Sequence, residues 1–314
     1  MDNLCQTSAI LFDPAPEGSL KAPLLFRVPE ELDGQSLRSL LRRIGFSRHS
    51  LIRLREEGKI LVNGKDLYLT SSLKAGDQVC LDPYSSQKAQ FPAEEMPLDI
   101  LYEDPDYILI NKPSGLTSHP SGNIRSGSLA AGVLHHLLQQ GITTVHPVTR
   151  LDRTTSGIMV FAKHPAAQHF ITQDPGTKEY AALAEGLFQE DSGLIDEPIL
   201  KAPGPTIRRI VDPEGKEART SFKVLAQGQE RTLLSLTLHT GRTHQIRVHL
   251  AHLGHPVAGD FLYGREDLPR LFLHSHIFTF RHFRRNEEIR ITAPLPEDFL
   301  LYLSPERPED HRLS

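Results

Sequence analysis

TRLDRTTSGIMVFAK, residues 149–163, sets Asp152 between Arg150 and Arg153, ahead of small hydroxyl residues and a glycine, and then runs straight into an apolar strand. A turn of this kind exposes a carboxylate at the end of a rigid element. Cations on either side favour an anionic carboxylate, and such an Asp acts as a nucleophile rather than an acid. The bland alternative is an Asp that caps backbone amides while its arginines face water; the segment alone does not separate the two.

Outward from this run, the second dense polar segment is HTGRTHQIRVHLAHLGHPVAGDFLYG, residues 239–264. Arg247 lies there among Ile246, Val248 and Leu250, where an unpaired guanidinium is costly, so a carboxylate partner is expected. Asp152 is the favoured partner, with Asp260 the alternative. Five histidines in the segment, His239, His244, His249, His252 and His255, raise a metal reading. No HExxH pattern and no clustered acidic ligands accompany them, so no metal site is expected. KEYAALAEG, residues 178–186, puts Lys178 and Tyr180 on one strand face by period-two spacing. Tyr180 either fills the core or offers a flat, polar-tipped surface to a nucleobase. GxxxxGK[ST], GxGxxG and GxSxG are all missing, which argues against nucleotide, dinucleotide and α/β-hydrolase chemistry and implies no cofactor.

The 314 residues, 39% hydrophobic, suffice for about two domains at roughly 150 residues each. Cys5 and Cys80 are too few for a disulfide framework, nothing at the N-terminus has the form of a signal peptide, and no apolar run is long enough for a membrane span. The expected compartment is the cytoplasm. Lys and Arg number 35 against 39 Asp and Glu, a net charge of −4, but the cations are unevenly spread. Gln35 to Glu57 shows helical spacing broken at Gly45, which predicts two short helices. KILVNGKDL then predicts a hairpin about Asn63-Gly64, and another strand ends near Pro83. This module is rich in Arg42, Arg43, Arg48, Arg53 and Lys59, side chains suited to phosphate. The expected organisation is an N-terminal arm (1–25), the basic module (26–83), a proline-punctuated linker (84–97), a mixed α/β body (98–305) and a tail (306–314). Within the body, strands are expected at Tyr107 to Asn111, GIMVFAKH, KEYAALAEG, SFKVLAQ and RTLLSLTLH. Helices are expected at Ser128 to Gln140 and within THQIRVHLAHLG.

Together these motifs resemble the RluA-type RNA pseudouridine synthases. TRLDRTTSGIMVFAK is similar to the family's catalytic segment, KEYAALAEG to its tyrosine segment and GRTHQIRVHLAHLGHPVAGDFLYG to its arginine segment, in the family's order. NKPSG (111–115) and GKEARTSFKVL (215–225) add weaker agreement. SRHSLIRLREEGKILVNGK (47–65) resembles an S4-type RNA-binding domain. The resemblance implies an α+β fold, with a mixed, mainly antiparallel catalytic sheet preceded by the small module. It implies isomerisation of uridine to pseudouridine in structured RNA, most naturally large-subunit ribosomal RNA, without a cofactor, an obligate protein partner or a membrane. Asp152 falls on the family's aspartate, Tyr180 on the tyrosine packing against the target base, and Arg247 on the basic residue pairing with the aspartate. Arg150 matches the residue that fills the space of a flipped nucleotide; Arg153 and Arg242 join it as expected RNA contacts. Tyr180 is also a candidate to assist loss of the C5 proton, and attack at C1′ and elimination from the sugar both remain open. Thr149 departs from the His common before Arg-Leu-Asp, and Ser128 from a common Thr. The competing readings are a tRNA substrate and a non-catalytic RNA-binding or ribosome-assembly factor.

Overall fold

A computed structural model describes residues 10–84, 89–120, 126–265 and 267–303. The basic module begins with strand β1 (Leu24–Arg27), followed by helices α1 (Leu37–Arg43) and α2 (Arg48–Glu56) and strands β2 (Ile60–Val62) and β3 (Gln78–Leu81). Ser36 and Ser47 cap the two helices, each side chain accepting the backbone N–H three residues on. The apolar stripe Leu37, Leu40, Leu41, Leu51 and Leu54 is buried. Asn63 and Gly64 both adopt positive φ, as their turn demands. The expected hairpin is nevertheless only partial. Beyond the turn the returning chain makes a single bridge, Val62 to Lys65, and β2 pairs instead with β3, giving the order β1-β3-β2. Asn63 redirects the pairing, for its side chain holds Asp77 and the Gln78 amide at the start of β3.

The body contains β4 (Ile100–Glu103), β5 (Tyr107–Lys112), α3 (Leu129–Leu138), β6 (His146–Pro147), β7 (Ser156–Ala162), α4 (Pro165–Gln173), β8 (Thr177–Glu185), β9 (Ser192–Asp196), β10 (Ile199–Lys201), β11 (Arg209–Val211), β12 (Arg219–Gln227), β13 (Arg231–Leu238), α5 (Gln245–His252), β14 (Leu273–Arg281), β15 (Glu288–Thr292) and α6 (Asp298–Leu303). The main sheet runs β4-β5-β7-β14-β8-β13-β12-β9, with β15 added to β14 and β6 to β7. Among the described strands of this sheet only the short β14–β7 contact is parallel; the other pairings are antiparallel, in line with the α+β expectation. At that parallel contact Gly157, with φ +104°, lies so close to β14 that any Cβ would overlap the Ser275 backbone. The glycine therefore lets the catalytic-type turn and β14 meet.

The arm and linker expectations need amending. The arm contributes Leu24 and Leu25 to β1, and Ile10 is buried with Phe12 packed on the same core. Tyr84, in the expected linker, is 2% exposed and hydrogen-bonded to Ala22 and Pro105, while the Ala89 and Glu94 amides donate to Thr143 and Ala131. One apolar cluster joins Phe26, Leu41 and Leu54 of the module to Tyr107, Val160 and Phe280 of the body. Beneath it lies a buried polar junction: Arg284 binds Asp106 through two nitrogens and the Pro23 carbonyl through a third. The expected tail lies outside the described residues.

Candidate active site

The turn carrying Asp152 is held from behind by a separate segment, NKPSG. Lys112, fully buried at the end of β5, donates Nζ to the carbonyls of Pro113, Leu116 and Arg153 at 2.9, 2.9 and 3.2 Å. Ser114 Oγ donates to Thr154 O at 2.7 Å, and the Gly115 amide donates to Arg153 O at 2.8 Å. Ser118 Oγ donates to Leu151 O at 2.6 Å. Three carbonyls of the turn, those of Leu151, Arg153 and Thr154, are thus pinned while the Asp152 side chain stays accessible. Burial pushes Lys112 down to about 8, with the Asp152 charge acting the other way. Sequence reading gave NKPSG only a weak role; the signal available was a lysine inside an apolar strand, which needs oxygens on every side.

Asp152 opens into a cleft lined by Arg150, Tyr180, Leu238, Arg242, His244 and Arg247. Arg247 comes from the first turn of α5 and is 2% exposed. Its Nη1 donates to Asp152 Oδ2 at 3.2 Å. Its principal partner is the alternative named from sequence: Asp260, fully buried, takes Nε at 2.8 Å and Nη2 at 2.7 Å. The Leu262 and Tyr263 amides also donate to Asp260 Oδ1. The favoured Asp152–Arg247 pair is therefore one side of a three-residue array. Burial opposes the charge of Arg247, but Asp260 and then Asp152 outweigh it and raise its pKa.

Tyr180 is 8% exposed on β8, paired with Leu236 of β13. Burial pushes its phenol up to about 12, partly offset by the Ser275 hydroxyl. Lys178 shares its strand face, is half-buried, and makes no hydrogen bond or ion pair among the described residues; burial lowers its pKa. Arg150 is exposed at the cleft edge without a partner among the described residues. Arg153 and Arg242 are exposed too, each with Nε on a backbone carbonyl, Gly115 and Glu217 respectively. Thr149 is buried and its Oγ1 accepts the Val160 amide at 2.9 Å, so this position ties the turn to β7. Ser128 caps α3.

In the module, Arg42 and Arg48 are exposed and Arg43 and Arg53 half-buried. Lys59 differs from expectation, being drawn inward to Glu57 at 3.0 Å and to the Tyr84 carbonyl. The histidines of 239–255 do not converge: His239 binds Ser221, His249 binds Thr220 and the Glu197 carbonyl, and His255 binds the Glu185 carbonyl. Among the described residues the metal-type groups that do converge are Asp104, Asp106 and His282. Arg284 and His164 already occupy Asp106, so a guanidinium stands where a cation would have to sit.

The family model described as RNA pseudouridylate synthase matches residues 106–252, and that of the RluD ribosomal pseudouridine synthase N-terminal domain matches residues 24–79. The chain is 42% identical to the uncharacterised RNA pseudouridine synthase YjbO of Bacillus subtilis, over 77% of this chain and 88% of that protein. It is 33% identical to ribosomal large subunit pseudouridine synthase D of Escherichia coli, over 89% and 93% of the two. The fold resembles that of human RNA pseudouridylate synthase domain containing 1, with TM-score 0.53 and 24% identity over 65% of this chain and 85% of that one.

Proposed function

Because the chain belongs to the RluA-type RNA pseudouridine synthases and acts on uridine in RNA, we propose that Asp152 is the nucleophile of the isomerisation and that the substrate is large-subunit ribosomal RNA. The observation that carries the first part is an accessible aspartate whose turn is fixed by Lys112, Ser114 and Ser118 and whose Oδ2 rests on Arg247. The second part rests on likeness to a relative named for the ribosomal large subunit, sustained over nearly the whole of both chains.

The target nucleotide leaves its stack at a cost of a few kcal/mol. Arg150, exposed and unpaired at the rim, fills the gap. The Asp152 carboxylate attacks C1′ as the C1′–N1 bond breaks; the uracil anion turns, C5 displaces the Asp152 oxygen from C1′ and so regenerates the carboxylate, the C5 proton leaves and N1 gains one. Atoms balance with no oxidant, reductant or water consumed. Tyr180 packs against the ring. Its side chain also stands as the candidate to assist loss of the C5 proton. Arg247 keeps Asp152 oriented through its bond to Oδ2. The module, similar to S4-type domains, grips the RNA through Arg42, Arg43, Arg48 and Arg53, and a cytoplasmic enzyme accords with this substrate.

Tritium release from [5-³H]uridine-labelled total RNA of a gene-deleted strain tests the chemistry, and pseudouridine mapping of the same RNA identifies the target. Asp152→Asn should release no tritium while retaining RNA binding. Release at the parent rate would exclude Asp152 as nucleophile, and a site mapped only to tRNA would exclude the ribosomal substrate.

A further inference from the structure

Arg247 is not the only group aimed at Asp152. His244, the residue preceding α5, has φ 60° and ψ 19°, a left-handed conformation uncommon outside glycine, and its side chain makes no capping bond to the helix. The ring is directed elsewhere. Nδ1 is 2.8 Å from Tyr263 Oη, and Nε2 is 3.6 Å from Asp152 Oδ2. A strained backbone that sends an imidazole toward a reactive carboxylate is the kind of strain that marks a working residue.

The hydrogen positions follow from the partners. Tyr263 Oη accepts the Arg209 amide at 2.8 Å, which leaves the phenol's own hydrogen to be donated to His244 Nδ1. Nδ1 is then the acceptor, and the proton of the neutral ring sits on Nε2, facing Asp152. The opposite tautomer would set a ring lone pair against a carboxylate and leave the phenol hydrogen without an acceptor. Burial lowers the His244 pKa, with the Asp152 charge opposing it and the Arg247 and Arg209 charges adding to it, which keeps the ring in this neutral form.

Both groups approach the same atom. Arg247 Nη1 and His244 Nε2 face Oδ2 of Asp152, whereas Oδ1 accepts no hydrogen bond among the described residues. We infer that His244, its tautomer set by Tyr263, is a positioning residue that with Arg247 clamps Oδ2 and thereby presents Oδ1 as the attacking oxygen. This rests on the reading of Asp152 as nucleophile. The 3.6 Å separation exceeds hydrogen-bond length and closes when substrate excludes water from the cleft, as such contacts commonly do. The array also links the chemistry to a distant element: the Arg209 amide belongs to β11, so the β10–β11 hairpin sets the tautomer of a ring beside the nucleophile.

His244→Asn and His244→Gln separate this role from a structural one. Asn tolerates the left-handed backbone better than His does, and its amide overlays Nδ1 but does not reach Asp152; Gln places its amide near Nε2. His244→Asn should fold as well as the parent yet slow single-turnover tritium release by about 100-fold, the scale of a misplaced reacting group, with RNA Kd within about twofold. His244→Gln should recover most of the rate. Tyr263→Phe, which leaves residue 244 untouched, should also slow the single-turnover step without weakening RNA binding. Parent-like rates in His244→Asn, or equal losses in the Asn and Gln variants, would overturn the assignment. Asp152→Asn, run in parallel, distinguishes the failures: if it is inactive while His244→Asn is not, only the clamp is wrong; if it is active, the nucleophile itself is.

Discussion

Asp260→Asn and Asp152→Asn make the same chemical change on opposite sides of one guanidinium, and the structure requires opposite outcomes. Asp260 is fully buried and takes two of the three carboxylate bonds of Arg247, at 2.7 and 2.8 Å. Replacing it with Asn leaves a buried cation short of its counter-charge and turns an amide N–H₂ toward a donor. Breaking such a pair from one side costs about 3–5 kcal/mol. The lower end applies here, since Asn keeps one oxygen for the Leu262 and Tyr263 amides and Arg247 keeps Asp152. A loss of about 3 kcal/mol lowers the Tm of a chain this size by about 4–5 °C. Asp152 has a side chain 30% exposed and a single hydrogen bond, at 3.2 Å to Arg247, with His244 at 3.6 Å beside it, so its neutralisation costs about 0–1 kcal/mol. In activity the order reverses. Asp152→Asn should abolish tritium release, whereas Asp260→Asn should slow it about 10- to 100-fold because the group orienting the nucleophile is loosened. Thermal melts and single-turnover tritium release on the same preparations read both axes. An equal fall in Tm for the two variants, or a fully stable Asp260→Asn, would refute the division into a buried anchor and an accessible nucleophile.

Reversing Arg42 and Arg43 to Glu should weaken RNA binding and reduce its salt dependence by about two counterions, leaving the single-turnover rate at saturating enzyme unchanged; identical salt titrations of variant and parent would reject the module as the RNA grip. His274, fully buried, is pushed from 6.5 down to about 4 by burial, then by His276 and Arg270. A His depressed in the folded state lends full stability above its unfolded value and loses it as pH falls, so up to about 3 kcal/mol should disappear between pH 6.5 and 4. His274→Gln should flatten urea-denaturation stability across that window, and an unchanged slope would remove His274 as its source. Asp106→Asn should destabilise the junction by about 3–5 kcal/mol, because Arg284 and the Ala22–Pro23 carbonyls lose their shared anchor. Hydrogen exchange of Leu24–Arg27 should then quicken relative to β8, and unaltered exchange there would show that the module is held by apolar contacts alone.

What was legible in the sequence follows from how local each signal is. Ser36 and Ser47 announce two helix starts through bonds three residues long, and Leu233, Leu234 and Leu236 announce β13 by apolar weight alone. Asp152 stands out in the sequence because a charged turn abuts a seven-residue fully buried strand, although that segment alone does not separate a reactive Asp from a capping one. The second arm of the Asn63-Gly64 hairpin was misread because its fate depends on Asp77 and Gln78, fourteen and fifteen residues away, which the dipeptide does not report. The packing of the linker stretch is hidden from the sequence for a related reason: prolines and polar residues mark irregular backbone, and irregular backbone packs well when a Tyr84 or an Ala89 finds a groove. The order of partners at Arg247 is the most instructive case. A guanidinium among Ile246, Val248 and Leu250 demanded a carboxylate, but one with five donors is seldom satisfied by one acceptor. Asp260 had the better claim on local grounds: it lies thirteen residues from Arg247, buried in a turn whose own amides converge on its Oδ1. Because Asp260 saturates the inner edge of the guanidinium, only Nη1 reaches the cleft, and Asp152 receives one directed bond instead of a closed ion pair. A carboxylate locked bidentately would have both oxygens occupied. The single hydrogen bond leaves Asp152 held at one oxygen while the other accepts none among the described residues, which is the arrangement the proposed nucleophile requires, and Asp260, the second-ranked partner, is what produces it.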